Sequence, residues 1–598
     1  MFMRFVAPMM LIVGLVACAR AAPTATPAPT ATLAPAATRA PAIPTATLAP
    51  GVPTPTRVAP TPTLIPSPTA TPKTVPTGTL NIAVPSMGNE DWLPRMVVQE
   101  GYLVQPMYDT LLQENFVNQD APLPGMAESW EVKQFPDGQV EYTFKLRKGV
   151  QFHKGWGEVT AEDLRDFFLA YGKSGTLSGG GFTIFTEWLG KDESRIQAKD
   201  RYTLFARSPQ PTAYFLETGL TRGYGAVYPK KYMAEVGEDG LRRQPVHAGP
   251  YEFKEHKRGE RLSLKAVTDH WRVTPEFAEL NFIVAPEPAT QIAMLRIGQA
   301  DIVSISRQFK PEVLAAGLRI ITARNAGEDF LSFGGMYYAV PRPGFGVNDP
   351  WVGSYDIKEP VGGANALKVR QALNLAVDKQ AILDKIYLGE GYVTTIVMQF
   401  QKEGVPWWNP AWKPYPYDPK RAKELLTEAG YPNGFSVNLW LPRFPGGTQS
   451  LDDGEAIASM WEKNLGLTVK RLVVEYRPTV RTPLVERNTK GYMWVFIQGG
   501  VGTPTTACTI GGISTTVVLH WEHPRWDDFC TKARAELDPG KRAAFTREVG
   551  DFFYNNYVSQ PIVNPNVLYA VGPKVGQWEP TPNVSSAGRL EYATRARK

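Results

Sequence analysis

Two places in this chain crowd chemistry-bearing side chains together: Asp452-Asp453 with Glu455, and His520 and His523 with Glu522 between them. Paired carboxylates are what a glycosidase needs, one to protonate the leaving oxygen and one to attack or to activate water. A solvated loop explains the Asp452 cluster better. The histidines could contribute to a metal site, but they lack the zinc-protease arrangement of two histidines four apart, and chance surface histidines account for them more simply. Gly172-Lys173-Ser174 imitates the end of a phosphate-binding loop, yet the earlier glycine such a loop requires is Phe167, so it reads as a surface turn. With no Gly-x-Ser-x-Gly elbow and only six histidines, a serine hydrolase is poorly supported. No enzyme, metal or cofactor is expected. The remaining chemistry is that of flat rings. Trp92, Trp188, Trp407, Trp408, Trp412, Trp494, Trp521 and Trp526 make the chain richer in tryptophan than a core requires, and such rings stack on sugars, peptides or heterocycles. Any single one is more often a packing residue.

The elements that position such residues are legible in places. Val140, Tyr142, Phe144 and Leu146 alternate with Glu141, Thr143, Lys145 and Arg147, the period-two pattern of a half-buried strand. Thr160 then opens a helix. Its hydroxyl caps the first free amides, Asp163 stands three residues on, and Leu164, Phe167, Phe168 and Tyr171 follow at helical spacing. Tyr417-Asp418-Pro419 leads into Ala422, Leu425, Leu426 and Ala429 and then Gly430, a capped helix with proline at its start and glycine past its end.

The order Ala127-Glu128-Ser129-Trp130, Phe144-Lys145-Leu146-Arg147, Gly149-Val150 and Thr160-Ala161-Glu162-Asp163 closely resembles the extracellular solute-binding proteins of peptide and nickel ATP-binding-cassette (ABC) importers, family five. Further landmarks of that kind are Gly249-Pro250-Tyr251, Asp269-His270-Trp271-Arg272, Ala289-Thr290-Gln291 through Gly298-Gln299-Ala300-Asp301-Ile302-Val303, and Val369-Arg370-Gln371-Ala372-Leu373-Asn374 through Asp378-Lys379. The likeness spans about residue 78 to the C-terminus.

That resemblance implies an α/β, two-lobe, periplasmic-binding-protein-like fold of type II with an extra subdomain and a ligand cleft between the lobes. Mapped here, lobe I takes residues 78–108, 235–325 and 565–598, its subdomain 109–234, and lobe II 326–564. It also implies the function: capture of an oligopeptide or similar-sized solute by lobe closure, and delivery to ABC permease subunits served by a separate ATPase. Trp92 and Trp494 adjoin segments expected near the cleft, and with Tyr102, Gln498, Gly499 and Gly500 they are the candidate ligand contacts. Peptide binders of the family carry an aspartate after a strand of lobe II that pairs with the ligand's α-amino group. The corresponding stretch here is Phe496-Ile497-Gln498-Gly499-Gly500-Val501-Gly502-Thr503-Pro504, with Val501 or Gly502 where the aspartate would stand. A buried ammonium left unpaired is costly, so neutral ligands such as oligosaccharides become credible. A surface-anchored glycosidase and a signalling sensor on the same fold stand as rival functions.

The N-terminus places such a protein outside the cytoplasm. Arg4 precedes an apolar run, Phe5 to Ala17, too short to cross a bilayer but suited to a signal peptide, residues 1–17. Leu15-Val16-Ala17-Cys18 resembles the bacterial lipobox, which implies lipid on Cys18 and anchorage to the outer face of the cytoplasmic membrane. The alternative is an ordinary secretory leader. Residues 18–77 are a proline-, threonine- and alanine-rich tether with too little apolar side chain to fold. At ~3.1 Å per residue in polyproline geometry it could hold the body on the order of 100 Å from the membrane. The five basic residues of 1–76 (Arg4, Arg20, Arg39, Arg57, Lys73) account for most of the net charge of +6; without them, 59 basic face 58 acidic residues. That balance leaves no footprint for nucleic acid, and the body is expected to act as a monomer. With Cys18 lipidated, Cys508 and Cys530 remain as a pair in an oxidising compartment, read as a disulfide with two buried thiols as the alternative.

Overall fold

The computed structural model describes residues 75–597 except 89, 97–100, 116–121, 214, 222–225, 398–403, 444–448, 500–504, 506, 507, 509–519 and 582–586. The expected signal peptide, Cys18 and most of the tether lie outside the described residues. Among those described, no helix is long and apolar enough to cross a membrane.

Three large sheets organise the described residues, beside a two-stranded pair of Leu112–Gln113 and Leu123–Pro124. The first has seven strands in the order Arg319–Ala323, Val567–Val571, Ile302–Ile305, Thr79–Val84, Glu279–Val284, Arg261–Ala266, Tyr251–Lys257. Thr79–Val84 runs parallel to both its neighbours. Ile82 and Val84 look into one core and Ala83 into another, the alternation expected of a strand covered on both faces. The second sheet has six strands in the order Gly391–Val393, Ser559–Pro565, Gly327–Phe333, Tyr492–Gly499, Ser436–Arg443, Thr468–Glu475. The third, antiparallel, orders Ala127–Gln134, Val140–Leu146, Thr203–Ser208, Ile196–Asp200. Its core shares Tyr142, Phe144, Trp188 and Phe215 with residues under the first sheet, so sheets one and three belong to one hydrophobic cluster. The second sheet has a core of its own.

The chain passes from the first sheet to the second between Ala323 and Gly327 and returns between Pro565 and Val567. These crossings join the two lobes. Asn325 takes a positive φ of 55° there and accepts a hydrogen bond from the Tyr392 hydroxyl at 2.9 Å. Asn566 donates its backbone N–H to the Glu390 carbonyl, and Lys310 of the first lobe pairs with the Glu390 carboxylate.

The sequence landmarks turn out to be scaffold. Arg272 donates to Asp109 at 2.9 Å, to Glu591 at 3.2 Å and to the Tyr592 hydroxyl at 2.7 Å, stapling stretches of chain that are remote in sequence. Burial opposes the charge of Asp109, but Arg272 and His270 overcome it and hold the carboxyl below its usual range. Gly249 lies so near the Met107 backbone that a Cβ would stand 2.3 Å from its carbonyl carbon. Arg370, fully buried, donates to the carbonyls of Trp351, Val361 and Asn556 at 2.7, 2.8 and 2.9 Å.

Candidate functional site

Strand Gly327–Phe333 is buried along its whole length although it contains Glu328, Asp329 and Ser332. Alternation sends its side chains to two faces. Asp329 points to the face that carries helix Gln449–Leu465. There the Tyr387 hydroxyl lies 2.5 Å from Asp329 Oδ2 and 2.6 Å from Asp453 Oδ2. The guanidinium of Arg307, from the first lobe, stacks 4.1 Å from the Tyr387 ring centroid. Burial raises both carboxyls above their ordinary range, and repulsion from Asp329 raises Asp453 further.

Glu328, Phe330 and Ser332 occupy the opposite face. By register they stand against Gln498, Phe496 and Trp494. His520 closes over this row, with ring centroids 4.6 Å from Phe496, 5.5 Å from Phe330 and 5.6 Å from Trp494. Its Nδ1 shares a 2.8 Å hydrogen bond with Ser332 Oγ. Burial pushes the imidazole down to about 4, so the ring is neutral near pH 7. The result is a floor of flat rings carrying one neutral imidazole and, next to the crossing at Gly327, one buried carboxylate.

Several expectations change in this setting. Asp452, Asp453 and Glu455 lie on a helix rather than in a solvated loop, since the apolar stripe of Ile457, Ala458, Trp461 and Leu465 carries the helix back through them. Asp453 faces the core and Glu455 pairs with Arg471 on the surface, so the three do not form a carboxylate pair over a cleft. His520 is half-buried, and His523 is not a surface residue: it is buried, accepts from the backbone N–H of Arg525 as a helix cap, and contacts the Ile357 carbonyl. Among the described residues, no three His, Cys, Asp or Glu are placed to hold a metal. Gly172-Lys173-Ser174 lies in a turn, with Lys173 exposed and paired with Glu238.

Of the expected ligand contacts, Trp494 is 0% exposed and packs with Trp440, Val480 and Leu484, while Trp92 is 3% exposed in the lobe I core with its ring edge-on to His256. The two tryptophans thus stand in separate clusters. Gln498 and Gly499 end their strand opposite Glu328 and Gly327. The side chain of Tyr102, together with Gly500, Val501 and Gly502, lies outside the described residues. Cys508 and Cys530 are joined by a disulfide, their Cα atoms 5.5 Å apart, in the lobe II core. The roles of Glu328, Ser332, Tyr387 and Arg307 went unread in the sequence. Two adjacent acids inside an otherwise apolar strand, Glu328-Asp329 before Phe330-Leu331, were the available signal.

Comparison with known proteins agrees with this architecture. The model of the bacterial extracellular solute-binding proteins, family 5 Middle, matches residues 121–510. The dipeptide-binding protein of Escherichia coli K12 is 29% identical over 467 residues, which is 74% of this chain and 81% of that protein. Among solved structures, the periplasmic binding protein DppA of Helicobacter pylori in complex with the peptide STSA superposes with a TM-score of 0.64 at 22% identity, covering 87% of this chain and 98% of that one. HbpA2 of Haemophilus parasuis gives a TM-score of 0.69 at 20% identity, with 87% and 100% covered. This chain belongs to the bacterial extracellular solute-binding proteins of family 5, a two-lobe binding protein of the ABC-transporter class and not an enzyme.

Proposed function

We propose that the chain captures a short peptide, or a solute of similar size, between its lobes and delivers it to a membrane permease powered by a separate ATPase. The observation that carries this reading is the family 5 match together with dipeptide-binding relatives that cover most of the chain. The half-buried ring of Phe496 offers flat surface for side chains or peptide planes. Trp494, Gln498, Gly499 and Gly500, with Trp92 and Tyr102 from the other lobe, are the proposed contacts. The peptide-binding relatives support the same ligand class. Lipid on Cys18 and the tether of residues 18–77 complete the proposal by holding the body at the outer face of the cytoplasmic membrane.

The absence of any acidic residue from Phe496 to Pro504 favours a second reading, an oligosaccharide ligand. Thermal melts of the full chain with di- and tripeptides and with oligosaccharides separate the two. A ligand at 100 times its Kd adds about 2.7 kcal/mol to stability. The peptide reading expects a raised midpoint with peptides and none with sugars. A rise with sugars and none with peptides sinks it in favour of the second.

A further inference from the structure

Two glutamates of the subdomain reach one turn of lobe II. Glu187 lies in the wide helical turn Ile184–Trp188 and Glu217 in the similar turn Phe215–Gly219. Each turn is fixed by core residues, Ile184 and Trp188 in one and Phe215 in the other. Facing them is the connection between helices Pro524–Ala535 and Pro539–Asn556. Arg534 pairs with Glu187, Arg542 pairs with Glu217, and Leu537 between them packs against the core of lobe I and its subdomain. The side chains of Arg542 and Glu217 are each only 3% exposed. Arg542 is held in place from its own side, donating to the Glu536 carbonyl at 2.6 Å, and Asp538 caps the following helix by accepting from the Lys541 N–H.

We propose that these two ion pairs, with Leu537 between them, form a latch that sets the register in which the subdomain and lobe II meet on closure. When the lobes part, water solvates all four charges. On closing, the buried pair loses hydration and regains about as much from mutual attraction, so a matched pair changes the open-to-closed balance little. A closed form in which the partners miss would bury an unpaired charge, which is costly. The latch therefore selects one closed geometry without locking the protein shut, leaving the balance to ligand contacts elsewhere. This step goes beyond the ligand reading and does not depend on which solute is bound.

Hydrogen–deuterium exchange of the full chain without ligand tests it, read on fragments covering 184–188, 215–219 and 534–542. Glu217→Gln leaves Arg542 buried without its counter-charge, and should speed exchange in all three fragments by about tenfold or more. The double variant Glu217→Gln with Arg542→Met removes both charges and should return exchange to within about twofold of the unaltered chain. If Glu217→Gln fails to fold by its thermal melt, Glu187→Gln and its double with Arg534→Gln carry the same comparison at the more exposed pair. Singles that exchange like the unaltered chain, or a double as fast as its single, would overturn the latch.

Discussion

The Tyr387 hydroxyl has one hydrogen, yet it lies within hydrogen-bond distance of two buried carboxyls, Asp329 and Asp453. Both contacts are hydrogen bonds only if one carboxyl is itself protonated and donates to the phenol oxygen. Burial raises both carboxyls, and the charge of Arg307 opposes that rise. The sign of the pH effect follows. An unfolded aspartate gives up its proton near pH 4. The folded chain keeps one, so this stability is full below that pH and is lost as pH rises from about 4 through the raised value. Denaturant titrations at several pH values should show a flatter profile for Asp453→Asn than for the unaltered chain across that range. Tyr387→Phe leaves two buried carboxyls without their shared partner and should cost about 2 to 3 kcal/mol. Identical pH profiles for the chain and Asp453→Asn would refute the shared proton.

At the level of elements, the helix Ala161–Ala170 shows how local sequence decides a start. Thr160 accepts from the Asp163 N–H, and Asp163 accepts in return from the Thr160 N–H at 2.9 Å, the reciprocal cap read from the spacing alone. The tertiary structure adds a task the spacing does not reveal: the second oxygen of Asp163 accepts from the Lys230 N–H at 2.8 Å, tying this helix to Lys230–Arg243. Thr160→Ala should therefore cost about 1 kcal/mol and Asp163→Ala more, since it unties two helices. Equal losses in urea unfolding would mean that the link to Lys230 contributes nothing. The helix Pro419–Glu428 was equally legible, with Asp418 as its cap and Gly430 at φ +98° past its end. The acidic stretch at Asp452 was not, because three acids near a glycine imitate a loop while the apolar stripe that makes the helix begins only afterwards.

For the molecule as a whole, acid is the weaker side. Burial pushes His153, His520 and His523 down to about 4 and His247 down to about 3. A histidine lowered in this way contributes stability that is full above about pH 6.5, where the unfolded ring is also neutral, and is lost as pH falls through the folded value. Asp349, raised to about 6 by burial, and the Asp329–Asp453 pair act in the opposite sense over part of that range. Four histidines outweigh them, so the denaturation midpoint should fall steadily between about pH 6.5 and 4. A midpoint that rises on acidification would show that the carboxyls dominate.

The sequence by itself determined the family, the α/β class and the capped helices, because those follow from residue order, short-range periodicity and local hydrogen bonds that need no partner from elsewhere. It also carried the two cysteines that the fold joins, although which sulfurs meet is a matter of position in space. Only the tertiary structure decided the roles of the charged residues. Arg272 meets Glu591 from 319 positions away, Arg542 meets Glu217 across the lobes, and Asp453 turns from an apparent surface acid into half of a buried pair. A charge takes its function from the counter-charge and the dielectric around it, and both are assembled by parts of the chain that are remote in sequence.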